Sequence, residues 1–406
     1  MQVAFLLNEF PGISETFILN QITGLLDLGH DVDICIRQTD SVQKVHPDVK
    51  KYHLEQKVRP VPHIPRNKFL CRFKTLGLTI LCLFKDPVKT YNALRILLRR
   101  PEGFSYQSYF LAALFILKKY DVIHCHYGPV GLRSMFLRDI GVKAKVGTVF
   151  HGYDLSMYLV QHGAEVYREL FEKGRLFLPI SNYWKDKLLS LQCPPQNITV
   201  HHMGIDPNRF TFKERTIKPN LPIRLLTVGR LVEKKGHRFA LEAIAEIIRR
   251  EKNISYTIAG DGPLEKPLKT LAVELGIEHQ VEFIGPVAQD TVIEKMLEAH
   301  IFLLPSITDS QGDQEGIPVV LMEALATGLP VITTIHSGIP ELVQDGVSGY
   351  LTPEKDVWAL IEKMNYLIEH PETWPQMGRA GRNFVEENYD INILNRKLVD
   401  IYQSAT

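Results

Sequence analysis

The sequence predicts an α/β protein of two doubly wound domains, and three observations carry that prediction. Short apolar strands alternate with helical stretches through the first half. A polar, proline-bearing stretch, PNRFTFKERTIKPNLP (207–222), then interrupts the pattern, and the alternation restarts and runs on to Thr333. Strands that alternate with helices imply parallel sheets, and 406 residues suit two domains of about 200 each. Hydrophobic residues at 45% and charged residues at 23% lie near soluble globular averages, which excludes disordered and fibrous classes.

Taken in order, Val3–Leu7 is a buried-strand run. Ser14 is placed to N-cap a helix that stays periodic through Ile18, Ile22, Leu25 and Leu26 until Gly29. Asp31–Ile36, Val122–His126, Val146–His151 and Leu176–Ile180 read as the remaining strands of a first domain, 1–206. Beyond a linker at 207–222, Arg224–Val228 opens the second domain, 223–388. A helix with Phe239, Leu241, Ala243, Ile244, Ile247 and Ile248 on its apolar side follows, then strands Ser255–Ala259, Ile301–Leu304 and Pro330–Thr333. Two such domains in tandem place a ligand in the crevice at the carboxyl ends of their strands.

Composition narrows the setting. The first residues, MQVAFLLNEF, have no basic segment ahead of the apolar run, so no secretory signal is expected. Leu76–Phe84 and Tyr109–Leu117 are the longest apolar-leaning stretches, well short of the roughly 20 residues a membrane span needs. The five cysteines, scattered and without a C-x-x-C pair, argue against a disulfide framework or zinc site and fit a reducing cytoplasm. Net charge is only +1, but 14 Lys or Arg stand against Asp48, Glu55 and Asp86 between Lys44 and Arg100. That is a local excess of eleven positive charges, interleaved with apolar residues in CRFKTLGLTILCLFK and NALRILLRR. Such a surface reads either as a docking face for an anionic membrane or acidic acceptor, or as a solvated face over a small core. No nucleic-acid motif accompanies it.

Chemistry concentrates in SITDSQGDQEGIPVVLMEALATGLPVITT. Strand Ile301–Leu304 runs into a polar loop, Ser306–Gly316, and then into a helix. Pro318 suits the first helical turn, and Gly328 with Pro330 ends the helix. The amides around Val319 and Val320 make an anion site at the helix N-terminus. Glu315 and Glu323 flank that turn as E-x(7)-E: one carboxylate can face a ligand beyond the phosphates while the other accepts sugar hydroxyls, or Glu315 simply caps and Glu323 is solvated. In VGRLVEKKG, Arg230 and Lys235 follow a strand, and two fixed cations there would neutralise a diphosphate. Gly260-Asp261-Gly262 lacks the third glycine of a dinucleotide fingerprint, so a turn is the better account and an oxidoreductase the weaker one. On the first domain, Gly12 allows close backbone approach to a phosphate; His124, Cys125, His126 and Tyr127 end one strand, and Phe150 to Asp154 end another. His124 and His126 have metal-pair spacing but no third ligand, so core or hydrogen-bonded roles are favoured. Asp31-Val32-Asp33, at a strand entrance, is read as structural.

Together these residues resemble glycosyltransferase family 4, the retaining enzymes of GT-B fold. EGIPVVLMEALATGLPVITT carries the likeness most specifically, with VGRLVEKKG, AGDGPLE, HMGID and HSGIPELVQDGVSGYL in support. FPGISETFILNQI, FHGYDLS, LPISNYW and DQEGIP look like the colanic-acid and related exopolysaccharide enzymes. The resemblance implies that Glu315 contacts the donor sugar, Glu323 the ribose hydroxyls, and Arg230 with Lys235 the diphosphate. Gly316, Val319 and Val320 would join them in holding the nucleotide-sugar. It puts Gly12 and His151 at the donor from the N-terminal side, leaves His126, Tyr127 and Asp154 to the acceptor, and returns the C-terminal helix, 389–406, to the first domain. The chain departs from the family in carrying Pro11-Gly12 where two glycines are common and Ile317 where an aromatic residue often follows.

The expected activity is transfer of a hexose from a nucleotide-diphosphate sugar, uridine-linked by first choice and guanosine-linked as the alternative, to a lipid-linked saccharide, with neither metal nor cofactor. The basic 44–100 region would hold the protein to the cytoplasmic face of the membrane. Its rivals are a GT-B epimerase or phosphorylase and a non-catalytic sugar-nucleotide binder.

Overall fold

The structure is a computed structural model, and it describes residues 1–10, 16–36, 47–65, 67–99, 104–217, 221–250 and 253–404. Two six-stranded sheets organise it, and within each every strand runs parallel to its neighbours. The first holds β1 (Gln2–Leu7), β2 (Asp31–Ile36), β3 (Val58–Pro60), β4 (Val122–His126), β5 (Lys145–Phe150) and β6 (Leu176–Pro179), in the order β3-β2-β1-β4-β5-β6. The second holds β7 (Ile223–Val228), β8 (Ile254–Ala259), β9 (Val281–Gly285), β10 (Ile301–Leu304), β11 (Val331–Thr334) and β12 (Gly349–Thr352), in the order β12-β11-β10-β7-β8-β9. Read from β9, the second order repeats the first. Each sheet therefore reverses direction once, between β1 and β4 and between β7 and β10, and those reversals open the crevices where ligands bind in such folds.

The central strands are apolar on both faces, as parallel strands covered by helices must be: β4 (VIHCH) and β10 (IFLL) are buried along their whole length. The two-domain α/β architecture expected from the alternation is present. Three strands the alternation did not reveal, β3, β9 and β12, are all sheet edges. The 207–222 stretch, expected as a linker, packs on the second domain over much of its described length. Phe210 joins that core, and Arg215, 1% exposed, donates to the Met296 carbonyl at 2.9 Å.

The final helix, Ile391–Ser404, returns to the first domain as expected. Leu398 and Tyr402 enter that core, Asn395 Nδ2 donates to the Asn20 carbonyl (3.2 Å), and the Tyr402 hydroxyl meets His124 Nδ1 at 2.6 Å. Ser14 and Gly12 lie outside the described residues; the helix that Ser14 was to cap is present as Thr16–Asp27.

Candidate active site

The described loops that follow the strands at the two reversals carry most of the residues singled out in the sequence. Tyr127 follows β4, Gly229–Gly236 follows β7, and Ser306–Gly316 follows β10; His151–Asp154 follows the adjacent β5. The two sides meet at glycine. Gly152, at φ +137°, lies so close to the backbone of Gln314–Gly316 that a Cβ there would fall 3.1 Å from Gly316 N. A Cβ on Gly316 would fall 2.2 Å from the His151 carbonyl oxygen. Only residues without side chains allow this approach. Ser156 Oγ accepts from Gln314 N at 3.3 Å, and Glu341 of the second domain accepts from the Asn182 and Tyr183 amides at 2.8 and 2.9 Å, capping a first-domain helix.

Glu315 sits on this floor, 8% exposed. Burial alone would raise its pKa, but Lys235 (Nζ to Oε2, 3.2 Å) and Lys234 (Nζ to Oε1, 3.7 Å) hold it down to about 2. It is a carboxylate at any working pH. Its backbone is fixed as firmly. Glu315 N donates to His336 Nε2 at 3.0 Å, so His336 carries its proton on Nδ1 and donates it to Glu354 at 2.5 Å; Ser337 Oγ donates to the Glu315 and Gly316 carbonyls. Asp309 accepts from the Gln311 and Asp313 amides and folds the loop on itself, and Lys234 bridges to Asp313 at 2.9 Å. Sequence reasoning took Lys235 and Glu315 as separate contacts, whereas they form one ion pair, and it passed over Lys234, Asp313, His336 and Glu354. The adjacent lysine in VEKKG was the one available signal for Lys234.

Arg230 is exposed at the carboxyl end of β7 and pairs with no carboxylate among the described residues. Gly236, at φ +68°, lets the turn pass beneath Pro305, whose carbonyl a Cβ would meet at 1.8 Å. Gly260-Asp261-Gly262 is a turn packed on this one: Leu231 N donates to the Asp261 carbonyl, and a Cβ on Gly260 would strike the Gly229 carbonyl. The helix after the long loop is Val319–Ala326. Pro318 stands at its N-cap, one position ahead of the first turn where it was expected, and offers no side-chain cap to the first amides. Glu323 lines a small cavity between the domains with Thr16, Asn20, Asp206, Arg209 and Gln289. Burial raises its pKa to about 7, only partly opposed by Gln289 at 3.5 Å.

Across the cleft His151 is held neutral, burial lowering its pKa to about 3, and its Nε2 shares a proton with His126 Nδ1 at 2.9 Å. The His124/His126 pair is therefore hydrogen-bonded within the core, His124 to Tyr402 and His126 to His151, and no metal cluster appears among the described residues. Two residues expected at the acceptor are enclosed. Asp154 is 0% exposed, with its carboxylate consumed by the amides of Gly128, His151 and Gly152, so it shapes the turn that presents His151. His126 is likewise enclosed, 1% exposed and against the Phe5 ring. Tyr127, at φ +73° and partly exposed, keeps its ring 4.6 Å from that of His151.

A family model described as Glycosyltransferase Family 4 matches residues 14–209, and one described as Glycosyl transferases group 1 matches 208–384. WcaL of Salmonella typhimurium, named for colanic acid biosynthesis, is 38% identical over the full length of both chains. The chain is a family 4 glycosyltransferase. The amylovoran biosynthesis glycosyltransferase AmsK of Erwinia amylovora is 35% identical over 99% of each chain. In fold, the glycosyltransferase matches Anabaena HepE (TM-score 0.73, 16% identity, all of both chains) and sucrose-phosphate synthase of Thermosynechococcus elongatus (TM-score 0.72, 18% identity, 99% of this chain and 98% of that one). The two sheets facing a glycine-lined cleft are thus the GT-B arrangement.

Proposed function

We propose that this glycosyltransferase moves a hexose from a nucleoside diphosphate-sugar to a hydroxyl of a lipid-linked saccharide, with retention and with side-chain cations in place of a metal, in building a cell-surface polysaccharide at the cytoplasmic face of a membrane. The polysaccharide class follows from relatives named for colanic acid and amylovoran biosynthesis. A uridine donor is favoured: the similarly folded HepE is described in complex with UDP and with UDP-glucose. The observation that carries the reading is the placement of Glu315. It is an ionised carboxylate between two lysines, beside the glycines where the backbones of the two domains meet and on the loop leading into the helix with uncapped amides.

In this site Arg230, Lys235 and the amides of Val319 and Val320 take up the charge growing on the departing diphosphate. Glu315 accepts hydroxyls of the transferred sugar, neutral His151 hydrogen-bonds it from the other side, and Glu323 accepts the ribose hydroxyls. Asp154, its carboxylate fully engaged, cannot attack the anomeric carbon. The bond from the anomeric carbon to the phosphate oxygen breaks, the acceptor oxygen bonds on the same face, and its proton passes to the departing phosphate oxygen. The test is transfer of label from UDP- and GDP-hexoses into a bacterial lipid extract. One donor is expected to label the lipid fraction, and Glu315→Gln to lower the rate on the order of a hundredfold or more. A Glu315→Gln enzyme of normal rate would remove the sugar-contact role.

A further inference from the structure

The helices Lys68–Lys85 and Pro87–Leu98 lie far in sequence from the transfer site, and their outer faces are the largest feature that site leaves unexplained. Both pack inward on the helix Tyr106–Leu117. The first turns Cys71 and Cys82 into the core, with Thr79 Oγ1 bonded to the Tyr109 hydroxyl at 2.7 Å. At 3.6 residues per turn, the opposite face carries Phe69, Phe73, Leu76, Ile80, Leu83 and Phe84. These are exposed to water, Phe69, Phe73 and Phe84 by 81%, 79% and 87%. An ordinary surface helix buries its apolar stripe and exposes its polar one; here a second apolar stripe runs along the outside. The next helix continues it with Val88, Tyr91 and Leu98, 67%, 63% and 71% exposed.

Cations border the stripe. Exposed Lys68 and Arg72 lie on one side of it and exposed Lys74 and Lys85 on the other, and Arg95 and Arg99 are exposed on the second helix. Between residues 67 and 99, seven basic residues stand against one acid, Asp86, which is itself paired with Lys89. A solvated face, the bland reading of this basic region, would not carry three phenylalanines so open to water. A second copy of the chain would set these cations against their own kind. No described helix is long and apolar enough to cross a membrane, so the element would lie on a bilayer rather than span it.

We propose that this helix pair inserts its apolar stripe into an anionic lipid bilayer, with the flanking lysines and arginines at the headgroup phosphates. The inference deepens the proposed action on a lipid-linked acceptor and rests on that reading for its purpose. It also changes the kind of attachment: charge alone would be released by salt, whereas an inserted stripe is not.

The full chain is sedimented with vesicles of phosphatidylglycerol and phosphatidylethanolamine at about 0.1 M and about 1 M salt, where the screening length falls from about 10 to about 3 Å. Much of the bound protein is expected to stay with the lipid at high salt. The Phe69→Ser/Phe73→Ser/Phe84→Ser variant should partition about tenfold or more weaker at both salts, with unchanged melting temperature and sugar-nucleotide binding, since none of the three is buried. The proposal falls if the variant pellets like the wild type, if all binding vanishes at high salt, or if the stripe instead drives a dimer that ignores lipid. A chain that turns over sugar nucleotide but ignores vesicles overturns the insertion alone; one that binds vesicles but no sugar nucleotide overturns the transfer reading alone.

Discussion

If Glu323 accepts the ribose hydroxyls as proposed, donor binding should be sensitive to pH near neutrality. Burial holds its carboxyl near 7 in the free protein, so below that pH it is mainly the protonated acid. A protonated carboxyl is a poor acceptor for two ribose hydroxyls, and binding must ionise it. The sign follows: donor affinity climbs as pH rises toward 7, levels off above it, and each binding event below 7 releases a proton. At pH 6 about one molecule in ten is ionised, so the affinity for a sugar nucleotide should be about tenfold lower than its plateau, about 1.4 kcal/mol. The ligand should be the intact sugar nucleotide, whose phosphates do not titrate in this range. Calorimetry from about pH 5.5 to 8 in two buffers of different ionisation enthalpy reads the affinity and the proton together. Glu323→Gln should bind weakly and without slope. Wild-type binding that is flat across the range with no proton released would refute the role, and so would a Gln variant that keeps the slope.

Two further substitutions probe how the cleft is held. Gly316→Ala places a methyl group 2.2 Å from the His151 carbonyl, so the domains should be forced apart; donor affinity should fall at least tenfold while the melting temperature changes by a few degrees, and an unaltered affinity would show that closure is not needed. His336→Ala leaves the Glu315 amide and the Glu354 carboxylate without their shared partner, for a stability cost of about 1–3 kcal/mol in denaturant. It should also lower turnover through a loosened Glu315, with His336→Asn recovering part of the loss.

The central strands were legible because burial on both faces leaves a bare apolar run, as in IFLL of β10 or VIHCH of β4. β3, β9 and β12 were not, because each is an edge. Val58-Arg59-Pro60 is three residues with a charge and a proline, and VEFIG and GYLT are half-exposed, so neither periodicity nor composition separates them from loop. At the site, the loop-and-helix arrangement of Glu315 and the turn of Arg230 were readable from glycines and strand ends. The supports were not: Lys234 and His336 meet Glu315, and Glu354 meets His336, only after separate loops converge. Asp154 shows the reverse, since an aspartate after His-Gly-Tyr looks available in sequence while three backbone amides occupy its carboxylate. The basic 44–100 stretch showed its charge in sequence, but the outward direction of its phenylalanines appears only once Cys71 and Cys82 fix which side of the helix is inside.

A sugar-nucleotide site held by side-chain cations on the second domain is tested most directly by titration. The wild type and Arg230→Ala are titrated with UDP-hexose and GDP-hexose, with and without chelator. One nucleotide is expected to bind, with an affinity that chelator leaves unchanged and that Arg230→Ala weakens by about 1.5–3 kcal/mol, the scale of one hydrogen bond to a charged group. Binding that vanishes with chelator, or that Arg230→Ala leaves intact, would contradict such a site.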